Sequence, residues 1–218
     1  MIPGGWHGGW AFDPIMEKMQ KLGHQLLPLT LPGLETSGSN ADQIINLDAH
    51  IDHVVDYILS KNLKDIILAG HSYGGLVITG VADRIPEKIK TLVYIDAYIP
   101  ENGDSCWSLT SDIYRELFIT GVQKDGIWVG VPPGTESRRV PHPMASYLQS
   151  IHLKGAYKRV LNRVLIYAGG WAATPFKNQF ERLKSNADWH VETLMCGHNI
   201  MREQPDELVA ILNKIAAY

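Results

Sequence analysis

The chain has 218 residues, 45% of them hydrophobic and 20% charged, a balance that supports a buried core and excludes a disordered chain. Twenty basic residues against 23 acidic ones leave a net charge of −3 and no basic block, which argues against a nucleic-acid or anionic-membrane surface. No apolar run approaches the ~18 residues of a membrane span, and Cys106 and Cys196 are too few for a disulfide scaffold or a structural zinc site.

The length fits one domain with an insertion. Met1 and Ile2 run straight into Pro3-Gly4-Gly5-Trp6-His7-Gly8-Gly9-Trp10. So abrupt a start reads as a chain shortened at its beginning. Without a signal-peptide pattern, the expected compartment is the cytoplasm. Short apolar runs at 25–29, 65–69, 91–95, 163–168 and 190–194 predict strands buried on both faces. Helices are expected over 11–22, 74–84, 175–186 and 205–217. A further helix is expected where Leu47, Ile51, Val54, Val55, Ile58 and Leu59 share one face. The alternation predicts an α/β fold with a mostly parallel sheet covered by helices. Residues 100–160 break the rhythm with Pro100, Pro132, Pro133, Pro141 and Pro143, a glycine-containing run at 122–130 and two helical patches near 108–119 and 143–152. An irregular stretch of that size is an insertion. The expected organisation is a core of 1–99 and 161–218 with 100–160 as a lid over the carboxyl ends of the strands.

The sharpest motif is Gly70-His71-Ser72-Tyr73-Gly74, placed after one predicted strand and before a helix. Glycines on both sides permit a tight turn that lifts the Ser72 hydroxyl clear of the sheet and aims a helix N-terminus at it. A base should return on a loop after a later strand. Cys196-Gly197-His198 follows the strand at 190–194, so His198 is expected to take the Ser72 proton. Activity should then rise through one ionisation within a unit or so of the free imidazole value of about 6.5. His50 and His53 beside Asp52 read as a solvated helix face rather than a metal site, and no metal is expected. The acid that orients His198 is expected to be Asp96, which closes the strand at 91–95. The loop after 163–168 reads Gly169-Gly170-Trp171 and offers no carboxylate, and Asp188 precedes its strand and points to the other end of the sheet. The backbone N–H groups of Tyr73 and Gly5 are the expected donors to a developing oxyanion. A phosphate-binding role for the opening glycines lacks the Gly-Lys-Ser/Thr ending.

Together, residues 3–10, the 70–75 turn, 92–100 and Gly197-His198 resemble the α/β-hydrolase superfamily. The resemblance is to the branch of plant methyl-ester esterases, hydroxynitrile lyases and related bacterial esterases. It implies a lidded Ser-His-Asp hydrolase without cofactor, with Ser72 as nucleophile, His198 as base, and Gly5 and Tyr73 as oxyanion donors. Pro3 replaces a histidine common in that branch, its usual acid after the later strand is absent, and its N-terminal strands are missing or truncated here. The lyases of the branch carry a threonine at the place of Gly4 and a lysine at that of Asn199. Both positions therefore favour ester hydrolysis over cyanohydrin cleavage. A ligand-binding receptor of the same fold is the other alternative.

Trp6, Trp107, Trp128 and Trp171 fall in segments expected to surround the site, so they are candidate pocket residues for an apolar or aromatic substrate. The expected partner is a small ester, with no nucleic acid and no membrane. Nothing in the pattern separates a monomer from a dimer.

Overall fold

A computed structural model describes residues 1–36, 44–122, 126–134 and 136–217; residues 123–125 of the glycine-containing run lie outside them. In chain order the strands are β1 (Ile66–Ser72), β2 (Ile89–Ala97), β3 (Trp128–Val129), β4 (His142–Pro143), β5 (Asn162–Ala168) and β6 (His190–Leu194). The helices are α1 (Asp13–Lys21), α2 (Leu47–Ser60), α3 (Gly74–Arg84), α4 (Cys106–Leu109), α5 (Asp112–Gly121), α6 (Met144–Leu148), α7 (Lys177–Leu183), α8 (Ile200–Glu203) and α9 (Pro205–Ala216).

The main sheet is parallel, in the order β1-β2-β5-β6. Successive side chains of a strand point to opposite faces, and here both faces are buried. Leu92, Tyr94, Leu165 and Tyr167 join one apolar cluster with α2 and α3. Val93, Ile95, Val164, Ile166 and Ala168 join a second with α1, α8 and α9. This is why the central strands read as unbroken apolar runs rather than alternating ones. Asn46 caps α2 by accepting the Ala49 N–H at 3.0 Å, and Ile51, Val54 and Ile58 bury its inner stripe. Each such side chain contributes about 1.5–3 kcal/mol on leaving water. Helix α9 starts on Pro205 with Asp206 and Glu207 in its first turn and Lys214 in its last, matching the helix dipole.

Residues 25–29, expected as a strand, form none. They run extended beside Met1, whose amino group donates to the Leu27 carbonyl at 3.0 Å while the Leu29 N–H donates to the Met1 carbonyl at 3.0 Å. Pro28 supplies no N–H, and the neighbouring chain joins β1 through a single bridge, Ile2 to Gly70. The other four expected strands are present: β1 starts one residue later than expected and runs on to Ser72, β2 and β5 extend beyond the expected limits, and β6 matches them. Among the described residues, no helix is long and apolar enough to cross a membrane.

The segment 100–160 contains α4, α5, the two-stranded β3–β4 pair and α6. Its two ends are tied together where the Gly103 N–H donates to the Ile151 carbonyl at 2.9 Å. Its return to the core is fixed by Asp83 at the end of α3, whose carboxylate accepts the N–H groups of Lys154 (2.6 Å) and Tyr157 (3.1 Å).

Candidate active site

Ser72 ends β1 with φ +53°, a left-handed conformation costly for a residue bearing a side chain. Five described non-glycine residues have positive φ, and three of them, Trp6, Ser72 and Asp96, meet at this site. The turn at Ser72 is held from behind. Its carbonyl accepts the Tyr98 N–H at 3.1 Å, and Gly75 packs so closely on the Tyr98 carbonyl that any β-carbon there would collide.

Asp96 is fully buried near the end of β2. Its Oδ1 accepts the Ala168 N–H at 3.1 Å, and its Oδ2 accepts the Nδ1–H of His198 at 2.7 Å. The His198 loop is itself pinned. The Gly197 N–H donates to Glu203 at 2.6 Å, and His71 Nε2–H donates to the His198 carbonyl at 3.0 Å. With Nδ1 donating to the carboxylate, neutral His198 presents Nε2 as an acceptor. Burial pushes the Asp96 carboxyl up to about 7, against the opposing pull of the Ala168 N–H and His71. Burial pushes the His198 imidazole down to about 4. Both directions disfavour charge. At 2.7 Å the two groups are close enough to titrate as a pair.

Ser72, His198, Gly4, Gly5, Tyr73 and Asn199 line one cavity of about 240 Å³. Neither the Gly5 nor the Tyr73 N–H has an acceptor among the described residues. Of the four tryptophans expected at the pocket, Trp6 and Trp171 line it and Trp107 and Trp128 do not. Trp107 packs against the core, and Trp128 stands in β3. Asp188 is exposed and precedes β6, whereas His198 follows it.

The segment 100–160 supplies much of the opposite wall, including Tyr114, Phe118, Arg139 and Tyr147. Trp6 stitches that wall to the opening loop. Its indole N–H donates to the Val129 carbonyl at 3.0 Å, its backbone N–H to His142 Nδ1 at 3.3 Å, and its carbonyl accepts the Val140 N–H at 3.1 Å.

Two buried histidines behind this loop escape a sequence reading. His142 donates from Nε2 to Ser146, whose hydroxyl donates to the Pro143 carbonyl. His50, expected on a solvated face, is fully buried. Its Nε2–H donates to the Pro32 carbonyl at 3.0 Å, and its Nδ1 accepts the Tyr73 hydroxyl at 2.8 Å. A signal for it existed, since position 50 lies on the stripe of Leu47, Ile51, Val54 and Ile58. Burial lowers the pKa of both imidazoles, His50 to about 4. Among the described residues, no cluster of His, Cys, Asp and Glu suited to a metal is present.

A family model described as the alpha/beta hydrolase family matches residues 1–211. A carbendazim hydrolyzing esterase of Nocardioides sp. (strain SG-4G) is 34% identical, over 100% of this chain and 97% of that protein. Methylesterase 2 of Arabidopsis thaliana is 27% identical over 60% of this chain and 48% of its own length. An extracellular alpha/beta-hydrolase from a Paenibacillus species, described as sharing structural and functional homology with tobacco salicylic acid binding protein 2, superposes with a TM-score of 0.83. It is 23% identical, over 98% of this chain and 96% of that one, a level that speaks for the fold. With the family model spanning nearly the whole sequence and one relative matched end to end, this chain belongs to the alpha/beta hydrolase family.

Proposed function

We propose that this protein is a serine esterase that cleaves small hydrophobic carboxylic esters through an acyl-enzyme. The observation that carries the reading is the 2.7 Å bond from His198 Nδ1 to the buried Asp96 carboxylate, with Ser72 on the strained turn of the same cavity. In this reading Nε2 of neutral His198 takes the Ser72 proton as the hydroxyl oxygen attacks the ester carbonyl. The imidazolium is stabilised by Asp96. The carbonyl oxygen becomes an oxyanion that accepts the Gly5 and Tyr73 N–H groups, each donor contributing about 2.7–4 kcal/mol in such sites. His198 then returns the proton to the departing alcohol. Water, deprotonated by the same nitrogen, releases the acid and restores Ser72.

Several features favour hydrolysis of esters over other chemistry on this fold. Two relatives are named as an esterase and a methylesterase. Gly4 packs so tightly that a β-carbon there would lie 2.9 Å from the Ser72 Cβ, leaving no room for the threonine that a lyase reading calls for. Asn199 follows His198 where that reading needs a lysine. Residues 100–160 act as the lid, and their aromatic wall selects an apolar or aromatic ester.

A fluorophosphonate probe tests the assignment. It should label Ser72 in the native protein and fail on Ser72→Ala, which should also lose turnover of p-nitrophenyl esters by a factor on the order of 10⁵–10⁶. Labelling confined to another residue would overturn the nucleophile. Tight binding of aromatic esters without turnover would replace the enzyme with a receptor.

A further inference from the structure

The turn over residues 136–139 closes on the Arg139 N–H, which donates to the Glu136 carbonyl. Its charges are used unequally. Arg138 pairs with Asp13 at 2.8 Å and lies over the Trp10 ring, 4.4 Å from its centroid. Glu136 accepts Arg202 at 2.9 Å. These contacts anchor the turn to α1 and α8, and the Val140 N–H bond to the Trp6 carbonyl fixes it beside the opening loop. Among the described residues, Arg139 alone of these ionic groups has no counter-ion. Its Nε–H donates to the Glu136 carbonyl at 3.3 Å, and its terminal nitrogens have no acceptor among the described residues. It lines the same cavity as Ser72 and His198, and no Asp, Glu or Lys does among the described residues. His7, on the cavity wall, lies within electrostatic reach of both Arg139 and His198.

A guanidinium in a wall otherwise made of rings and neutral groups is a site for a planar anionic acceptor, because it offers paired donors that match a carboxylate. The cavity, about 240 Å³, falls below the range typical of drug-sized ligands, so the molecule it admits is compact. We propose that Arg139 binds a carboxylate of the substrate, and that the preferred substrates are half-esters: small, ring-bearing esters with a free carboxylate at the end remote from the scissile bond. The reaction in this proposal rests on the esterase reading; the binding of the anion does not.

Two measurements separate them. In the first, kcat/KM for monomethyl terephthalate and for neutral methyl benzoate is compared in the native protein, Arg139→Met and Arg139→Lys. The native protein should prefer the half-ester. The methionine variant should lower that preference ratio by about tenfold or more, mainly through KM, as expected for loss of a charge-assisted pair. The lysine variant should retain part of it, and added salt should raise the native KM for the half-ester alone. In the second, terephthalate binding is measured by calorimetry on Ser72→Ala with and without Arg139→Met. Affinity should fall about tenfold when Arg139 is replaced. Equal affinities, or an unchanged preference ratio, would overturn the role of Arg139. Arg139-dependent binding in a native protein that turns over neither ester would overturn the esterase reading and leave the anion site standing.

Discussion

The two walls of the cavity differ in how their residues are placed. The floor carries Ser72 and Asp96 at the carboxyl ends of parallel strands, where the sheet's own register sets their positions, and His198 on the loop that follows β6. The opposite wall, from 100–160, is built of short elements joined over long distances in the chain. Trp6 reaches Val129 and His142 across more than a hundred residues. Tyr147 stacks between His142, 4.1 Å away, and Phe118, 4.4 Å away. A floor held by a ladder tolerates little change in geometry and should fail in rate. A wall held by ring packing should fail first in stability and selectivity.

Asp96→Asn should show the largest effect of the replacements that leave Ser72 in place. If the carboxylate fixes the His198 tautomer, kcat should fall by about 10⁴, with the thermal midpoint little changed. Retention of most of the rate would remove Asp96 from the mechanism.

The pH dependence sharpens the same point. In the proposed mechanism the working form has a charged Asp96 and a neutral His198. Burial raises the first toward about 7 and lowers the second toward about 4, so as pH falls the pair takes up one proton within that window. The expected kcat/KM is therefore flat above about 7 and falls through a single limb below it. In Asp96→Asn only the imidazole remains to titrate, and its limb should move down toward 4. An upward movement would show that another group controls the rate.

On the opposite wall, Tyr147→Ala should lose about 3–5 kcal/mol of stability in urea unfolding, the usual cost of emptying a buried aromatic site. It should also widen the cavity, shifting preference toward bulkier acyl groups while probe labelling of Ser72 persists. Loss of labelling with the fold intact would mean that the two walls are not separable. A β-carbon at Gly5 would meet the Tyr147 hydroxyl, so that contact is where coupling would enter.

The smallest effect is expected for Glu136→Gln. The residue's partners, Arg138 and Arg202, are about half exposed, and such pairs contribute little to global stability. The melting midpoint should stay within error of the native value, while proteolysis of the 136–139 turn becomes faster and more salt-independent. An unchanged cleavage rate would show that the ion pairs do not hold the turn.

The sequence by itself determined the strand-turn-helix around Ser72, the loop carrying His198 and the strand that carries Asp96 near its end. These depend on local pattern: buried strands read as apolar runs, and a glycine-flanked turn between a strand and a helix has few conformations. Position 50 carries a local signal too, since it lies on the apolar stripe of α2 despite its polar neighbours. Tertiary structure alone decided which tryptophans reach the cavity, that 25–29 runs extended without joining the ladder, and that His142, Tyr147 and Arg139 face the opening loop. It also decided that Asp96 and His198 meet at 2.7 Å across 102 residues of chain. Those outcomes follow from burial and from contacts between residues far apart in the chain, where loop closure, packing volume and desolvation act together and no short-range pattern records the result.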